Sequence, residues 1–549
     1  MLKNSLYLTL IIFSIMMLHS CNSRQKVDTI ITNATIYSVD ENFSIHSAMA
    51  IDDGKIISIG SNEKIVGNYT AETKLDMSGK YIYPGLIDPH CHFYGYSTTL
   101  ANVDLSGTNS IEEIIDRAKE YQKTNPTGWI TGRGWDQNDW EIKEFPSKEI
   151  LDSVFPDIPV FFRRIDGHAA WANSKALELA KITGDTKIDG GRILLSNGEP
   201  TGILIDMAID LVKNIIPGIT QEETIQYLKN AQDTCFSYGL TSVGDAGLSK
   251  ESILLLDSMQ KSGEIKMRIY AMIAPSNENI EHFLKKGHYK TDHINVRSLK
   301  LYADGALGSR GACLLEEYSD DPGNIGLLVT DIDSLKYYSK LCYEYDYQVC
   351  THCIGDSANR TMLKIYAENL KEKNDKRWRI EHAQIIHPDD FSIFGDYCII
   401  PSIQTTHCTS DMYWAIDRIG DKRIENAYAW RKLFDENGWL PNGSDFPVEK
   451  INPILGFYAA ITRQDIEGKP NDGFYLDQML TREEALKATT IWAAKAQFEE
   501  KEKGSLEVGK LADFIILSKD IMRCPVNEIF SEKVEQTYSN GKKVFDIND

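Results

Sequence analysis

Positive charge is what this chain has too little of. Its 59 lysines and arginines face 80 aspartates and glutamates, a formal net charge of −21. That balance argues against nucleic acid as a partner and is ordinary for a soluble enzyme. A second Cys-x-x-Cys is also missing. Cys350-Thr-His-Cys353 has the spacing, but without another such pair it completes no zinc ribbon, and no His follows Cys353 to suit c-type haem attachment. The ten cysteines are scattered through 549 residues, unlike the dense framework of a small disulfide scaffold, and this pair reads as buried thiols. No glycine-rich phosphate loop follows an early strand, which disfavours an open dinucleotide-binding sheet. The apolar run at 6–18 is shorter than the ~20 residues that span a bilayer. What is present is a hydrophobic content of 42%, evenly spread, too high for disorder and sufficient for a barrel-sized core with additions.

The N-terminus reads as a targeting segment. Lys3 supplies a positive start, 6–18 an apolar stretch, and Leu18-His-Ser-Cys21 resembles the lipobox of a bacterial lipoprotein. His19 departs from the small or aliphatic residue usual there. The expectation is a signal peptide over 1–20, a lipidated Cys21 opening a tether over 21–26, and an exported protein anchored on the periplasmic side of a bacterial membrane. The alternative is an ordinary secretory signal with an incidental cysteine.

From residue 27 the pattern becomes strand-like, with a turn at Asp53-Gly54. Similar short strands recur near the C-terminus, with a turn at Asn540-Gly541. Residues 27–80 and 505–549 are therefore expected to meet in a small β-sandwich. Between them, apolar runs at 82–88, 239–245, 267–274, 296–303, 347–352, 377–382, 397–402 and 439–444 alternate with helical patterns. Eight βα units are the count of a TIM barrel, here over 81–504, with its chemistry at the C-terminal strand ends. The long mixed stretch at about 95–235, after the first barrel strand, reads as an inserted subdomain that could roof the site.

Polar residues fall where such a barrel needs them. In Ile82-Tyr-Pro-Gly-Leu-Ile-Asp-Pro-His-Cys-His-Phe93, His90 and His92 are two apart and leave one strand end on the same side. Neutral imidazole pairs suit zinc and similar divalent ions. Lys300, His352, His382 and Asp445 sit on or at the ends of four later runs. Candidate substrate contacts are His168 and His407, with Arg310 able to hold a carboxylate bidentately. Trp135 and Trp140 are candidates to wall the pocket, against the more common role of aromatic core packing. His46, His282, His288 and His293 lie outside the strand-end pattern.

These residues, with Gly134-Trp-Asp-Gln137, Arg164-Ile-Asp-Gly-His168, Ala303-Asp-Gly-Ala-Leu-Gly-Ser-Arg310 and Gly443-Ser-Asp-Phe-Pro-Val-Glu449, closely resemble the amidohydrolase superfamily, in its amidohydrolase-3 branch. The resemblance runs from about 28 to 545. It implies a distorted (β/α)8 barrel with a sandwich from both chain ends, and one or two divalent ions, usually zinc. It implies His90, His92 and Asp445 on one ion and His352 and His382 on the other, with Lys300 able to bridge them as a carbamate. It further implies hydrolysis of a non-peptide C–N bond in a small-molecule amide by metal-activated water, with Asp445 as general base and acid. A metal-dependent esterase or lactonase uses the same site, and a solute-binding lipoprotein that kept the fold is the non-catalytic alternative. An oligomer is compatible with this reading.

Overall fold

Apolar runs bounded by polar strand ends build the centre of the molecule. The computed structural model describes residues 24–124 and 128–549. The expected signal peptide and Cys21 lie outside the described residues. The eight barrel strands are β1 (Leu86–Cys91), β2 (Leu240–Leu248), β3 (Arg268–Ile273), β4 (Ile294–Tyr302), β5 (Gln348–Cys353), β6 (Arg379–His382), β7 (Ile400–Gln404) and β8 (Asn442–Gly443). They pair in parallel, in chain order, from β1 to β8. The ring closes just beyond the last strand. Asp445 N donates to His90 O at 2.8 Å, and His92 N donates to Phe446 O at 2.8 Å. This is a distorted (β/α)8 barrel, with helices such as Gln221–Ser237 outside it. Cys350 packs with Ala246, Tyr270 and Met272 in one buried cluster, while Cys353 joins the large apolar core. Both are free thiols.

The run at 82–88 is not one strand. Tyr81–Pro84 belongs to a terminal sheet, and β1 begins at Leu86. The break falls at Gly85, where a Cβ would sit 2.4 Å from Thr241 Oγ1. Gly85 N also donates to Asp513 O at 2.8 Å. Only a residue without a side chain lets the chain pass here from one sheet to the other.

The terminal strands form two sheets. One orders Lys55–Gly60, Ala48–Asp52, Gln25–Thr32 and Tyr69–Asp76. The other orders Lys542–Asp546, Val534–Ser539, Phe514–Leu517, Tyr81–Pro84, Thr35–Tyr37 and Ile45–His46. Ile31, Met49 and Ile51 from the first share a buried core with Ile82, Phe514 and Ile516 from the second. Both chain ends thus contribute to one sandwich. Gln25 and Lys26, read as tether, are already in its first strand.

The insertion after β1 has its own mixed sheet of six strands, from Val103–Asp104 to Glu199–Asp206. Val103–Asp104, Ile130–Trp135 and Val160–Arg164 run parallel, and the rest pair antiparallel. One face is filled by Trp135, Trp140, Trp171 and Phe162. Among the described residues no helix is long and apolar enough to cross a membrane.

Candidate metal centre at the mouth of the barrel

Asp445 is the point on which the site converges. It follows β8 with a backbone φ of +61°, a left-handed conformation that the closing hydrogen bond to His90 O holds in place. Its Oδ1 lies 3.4 Å from His90 Nε2 and 3.2 Å from His92 Nε2, and its Oδ2 lies 3.5 Å from His407 Nε2. Burial pushes this carboxyl up, but the opposing interactions, led by the hydrogen bond from His407, hold the group well below the ordinary carboxylate range.

The tautomers of the two strand-one histidines follow from their other nitrogens. His90 Nδ1 meets Glu381 Oε2 at 2.5 Å, and His92 Nδ1 meets Ala246 O at 3.2 Å. Each Nδ1 therefore carries the proton it donates, and each Nε2 is left with a lone pair, that of His90 within reach of Lys300 Nζ. Two lone pairs and the carboxylate oxygen Asp445 Oδ1 then face one another within 4.8 Å. Asp445 Oδ1 is buried and has no hydrogen-bond partner. Converging acceptors without a proton between them repel unless a cation lies among them, so this donor set fits a divalent ion.

A second group joins His382, His407 and the same Asp445 within 4.8 Å. His382 ends β6 with φ +73°, and its Nδ1 is buried without a partner. Burial, with His352 adjacent, holds His382 well below the usual histidine range, so it is neutral. His407 differs. Burial lowers it, but hydrogen bonds to Asp445 and Glu449 outweigh that and raise it to about 10. His352 ends β5 with its ring 4.5 Å from that of His382. Its Nε2 lies 3.4 Å from Gly305 O and 3.8 Å from Asp304 Oδ1, and it stands outside both three-residue groups. It too is kept neutral by burial. Lys300 Nζ is 3.0 Å from His90 Nε2 and 4.9 Å from the Tyr302 ring. Burial lowers its pKa, favouring the free amine.

The insertion reaches this centre through His168. Its Nδ1 meets Asp206 Oδ1 at 2.6 Å, and its ring centre lies 5.1 Å from that of His352. Two expected substrate contacts are placed differently. Trp135 is fully buried in the insertion, stacked on Trp140 with ring centres 5.9 Å apart, and donates to Phe162 O at 2.9 Å. It therefore walls no pocket; aromatic burial decides its position. Arg310 is held bidentately by Asp320, at 3.1 and 3.0 Å, so its fork is already occupied.

Several acids escaped the reading of the chain. Glu381 is fully buried between His90 and Arg379, whose Nε donates to it at 2.6 Å. Burial would raise Glu381, but Arg379 and His90 hold it far below the carboxylate range. Asp304 accepts backbone N–H groups from Cys313, Ile354 and Gly355 and ties the loop after β4 to the end of β5. Asp88 accepts from Ser444 Oγ at 2.6 Å and pins β1 to β8. The signal for Glu381 was its place beside His382 in Ile380-Glu-His-Ala383, where a charged residue interrupts a buried strand.

The amidohydrolase family model matches residues 74–545. The chain belongs to the amidohydrolase family. This amidohydrolase is 33% identical over 540 residues to Protein LONG AFTER FAR-RED 3 of Arabidopsis thaliana, covering 94% of this chain and 91% of the relative. It is 24% identical over 543 residues to an N-substituted formamide deformylase of Arthrobacter pascens, covering 94% and 98%. An uncharacterized metal-dependent hydrolase from Pyrococcus horikoshii superposes with a TM-score of 0.73 at 28% identity, covering 91% of this chain and 99% of that one. The protein is thus a hydrolase of a metal-dependent type, with candidate ligands grouped at the C-terminal end of its barrel.

Proposed function

We propose that this amidohydrolase cleaves a non-peptide carbon–nitrogen bond in a small-molecule amide, N-acyl amine or cyclic amide. The observation that carries the reading is the convergence of two imidazole lone pairs on Oδ1 of an ionised Asp445, the one oxygen of that carboxylate without a hydrogen-bond partner. His90, His92 and Asp445 would hold one divalent ion, with His382 and His352 available for a second, and nitrogen-rich donors favour zinc. Such an ion, when bound, supplies Lewis acidity and makes water a nucleophile near neutral pH. Asp445 then acts on protons. Its carboxylate accepts one from the attacking water and passes it to the leaving nitrogen, so the amine departs neutral. His407, charged between Asp445 and Glu449, is the donor for the carbonyl oxygen. Lys300, favoured as an amine by burial, can add carbon dioxide and release a proton, which turns it into an anionic oxygen donor. The deformylase among the relatives is named for N-substituted formamides, which supports an acyl–nitrogen substrate.

The test is elemental analysis of protein expressed with bicarbonate, followed by matched amide and ester panels. About one or two bound ions per chain with amide turnover is the expected result. Turnover of esters alone moves the reading to an esterase, and a protein that takes up no metal defeats it. Export with a lipid on Cys21 remains part of the proposal, checked by labelled fatty-acid incorporation that Cys21→Ala abolishes.

A further inference from the structure

Arg133 and Arg163 stand side by side, and among the described residues no carboxylate lies at ion-pair distance from either. They are register partners on the parallel strands Ile130–Trp135 and Val160–Arg164, so both side chains leave the same face of the insertion sheet. Each guanidinium makes one hydrogen bond to protein among the described residues. Arg133 Nη2 donates to Ile165 O at 2.8 Å, and Arg163 Nη2 donates to Gly167 O at 3.0 Å. The Nε of each is buried without a partner. Both forks close on Gly167, where an added Cβ would lie 3.2 Å from Arg163 Nη2 and 3.3 Å from Arg133 Nη1. The next residue is His168, whose ring packs beside His352 at the barrel mouth.

Two fully buried arginines, Arg164 and Arg379, are built otherwise. Arg164, one residue along, has Asp136, Asp166 and Gln137 on its fork. Arg379 has Glu381 and Pro89 O. The acids nearest to Arg133 and Arg163 are committed elsewhere. Asp166 is taken by Arg164 and by His168 N, and Asp210 by Lys213. Burial, and then the neighbouring Arg163, press the Arg133 pKa down to about 9, against the opposing pull of Asp166 and then of Asp445. Burial lowers Arg163 as well, against the pull of Asp210 and Asp166 and, last, of Tyr302 at the end of β4. Two half-buried like charges repel side by side, and an anion between them removes that repulsion.

We infer that Arg133 and Arg163 form an anion subsite that receives a carboxylate carried by the substrate, so that the compound cleaved is an amide with an acidic substituent. This rests on the carbon–nitrogen reading above and adds the substrate class. A planar fork suits a carboxylate, and two forks set its direction as well as its charge. The insertion would then select the substrate while the barrel cleaves it.

The experiment uses N-acyl amino acids and their C-terminal carboxamides as matched pairs. They are offered to the full metal-loaded chain for hydrolysis, and to the full Asp445→Asn chain for calorimetric binding. The acid should be preferred over its carboxamide by about tenfold to hundredfold in kcat/KM, the worth of a charged hydrogen-bonded pair. Arg133→Gln and Arg163→Gln should each bring that ratio toward one, chiefly through KM, and the lysine variants should keep part of it. Equal use of both members by the natural chain, or a ratio unmoved in both glutamine variants, overturns the subsite. If a glutamine variant does not fold, the lysine variant decides: loss of the bidentate fork must lower the ratio. If no amide is cleaved at all, the carbon–nitrogen reading fails on its own. Calorimetry then judges the subsite: selective binding of the acid, weakened by the variants, supports it, and no selectivity overturns it.

Discussion

Glu381 Oε2 sits 2.5 Å from His90 Nδ1, inside the barrel wall and out of reach of solvent. The pair is a positioning device. It fixes the imidazole's proton on the side away from Asp445 and leaves the lone pair of the other nitrogen facing that carboxylate.

Glu381→Gln keeps the shape and removes the charge. It should weaken metal affinity by about tenfold to hundredfold. Metal titration against a competing chelator measures this directly. Unchanged affinity would reduce Glu381 to a partner of Arg379.

Asp445→Asn should lower kcat by about a hundredfold or more, since the proton acceptor is gone. Asparagine tolerates the left-handed backbone at this position, so the fold should survive. Circular dichroism and melting then separate lost chemistry from lost structure. Near-normal turnover in the metal-loaded variant would remove Asp445 from the proton path.

Gly85→Val should destabilise the protein by about 1–3 kcal/mol, because its Cβ would press on Thr241. Urea unfolding followed by fluorescence measures the loss. Gly218, with open space around its Cβ position and no left-handed backbone, is the control for steric effects.

Arg164→Gln should cost about 3–5 kcal/mol at neutral pH, because Asp136 and Asp166 would be left buried and uncompensated. The sign with pH follows from Asp166. Burial raises it, but Arg164 outweighs burial and keeps it below its ordinary value in the folded protein. Its contribution is present above the unfolded carboxylate pKa of about 4 and is lost as pH falls through the folded value. In the variant, both acids gain stability by protonating. The difference in unfolding midpoint between the natural chain and Arg164→Gln should therefore shrink from pH 7 toward pH 4.

The barrel was legible because most of its strands lie in short apolar runs, several of which end near a polar residue, as at His90, His352 and His382. The join at Gly85 was not. Residues 82–87 carry no charged side chain, and only the tertiary approach of Thr241 shows that they serve two sheets. Within the site, the histidines announced themselves by position. Their partners did not, because the pairing is made by the fold: Glu381 lies 291 positions from His90. Trp135 misled because an aromatic beside a polar motif looks the same in sequence whether it faces a ligand or a core. Arg310 was already paired with an acid ten positions away, a local match that outcompetes a distant ligand.

Gly85 also has a mechanical meaning. The strand that carries His90 and His92 is continuous with Tyr81–Pro84, which is hydrogen-bonded to Phe514–Leu517 and through it to Val534–Ser539. The two histidines are thus suspended between the sandwich at one end and the Asp445 N–H at the other. A load path runs from the last strands of the chain to the ligands on its first barrel strand. Damage to the C-terminal sheet is then felt at the metal centre without touching any residue that lines it, and the terminal sheets cannot be exchanged between relatives without carrying β1 along.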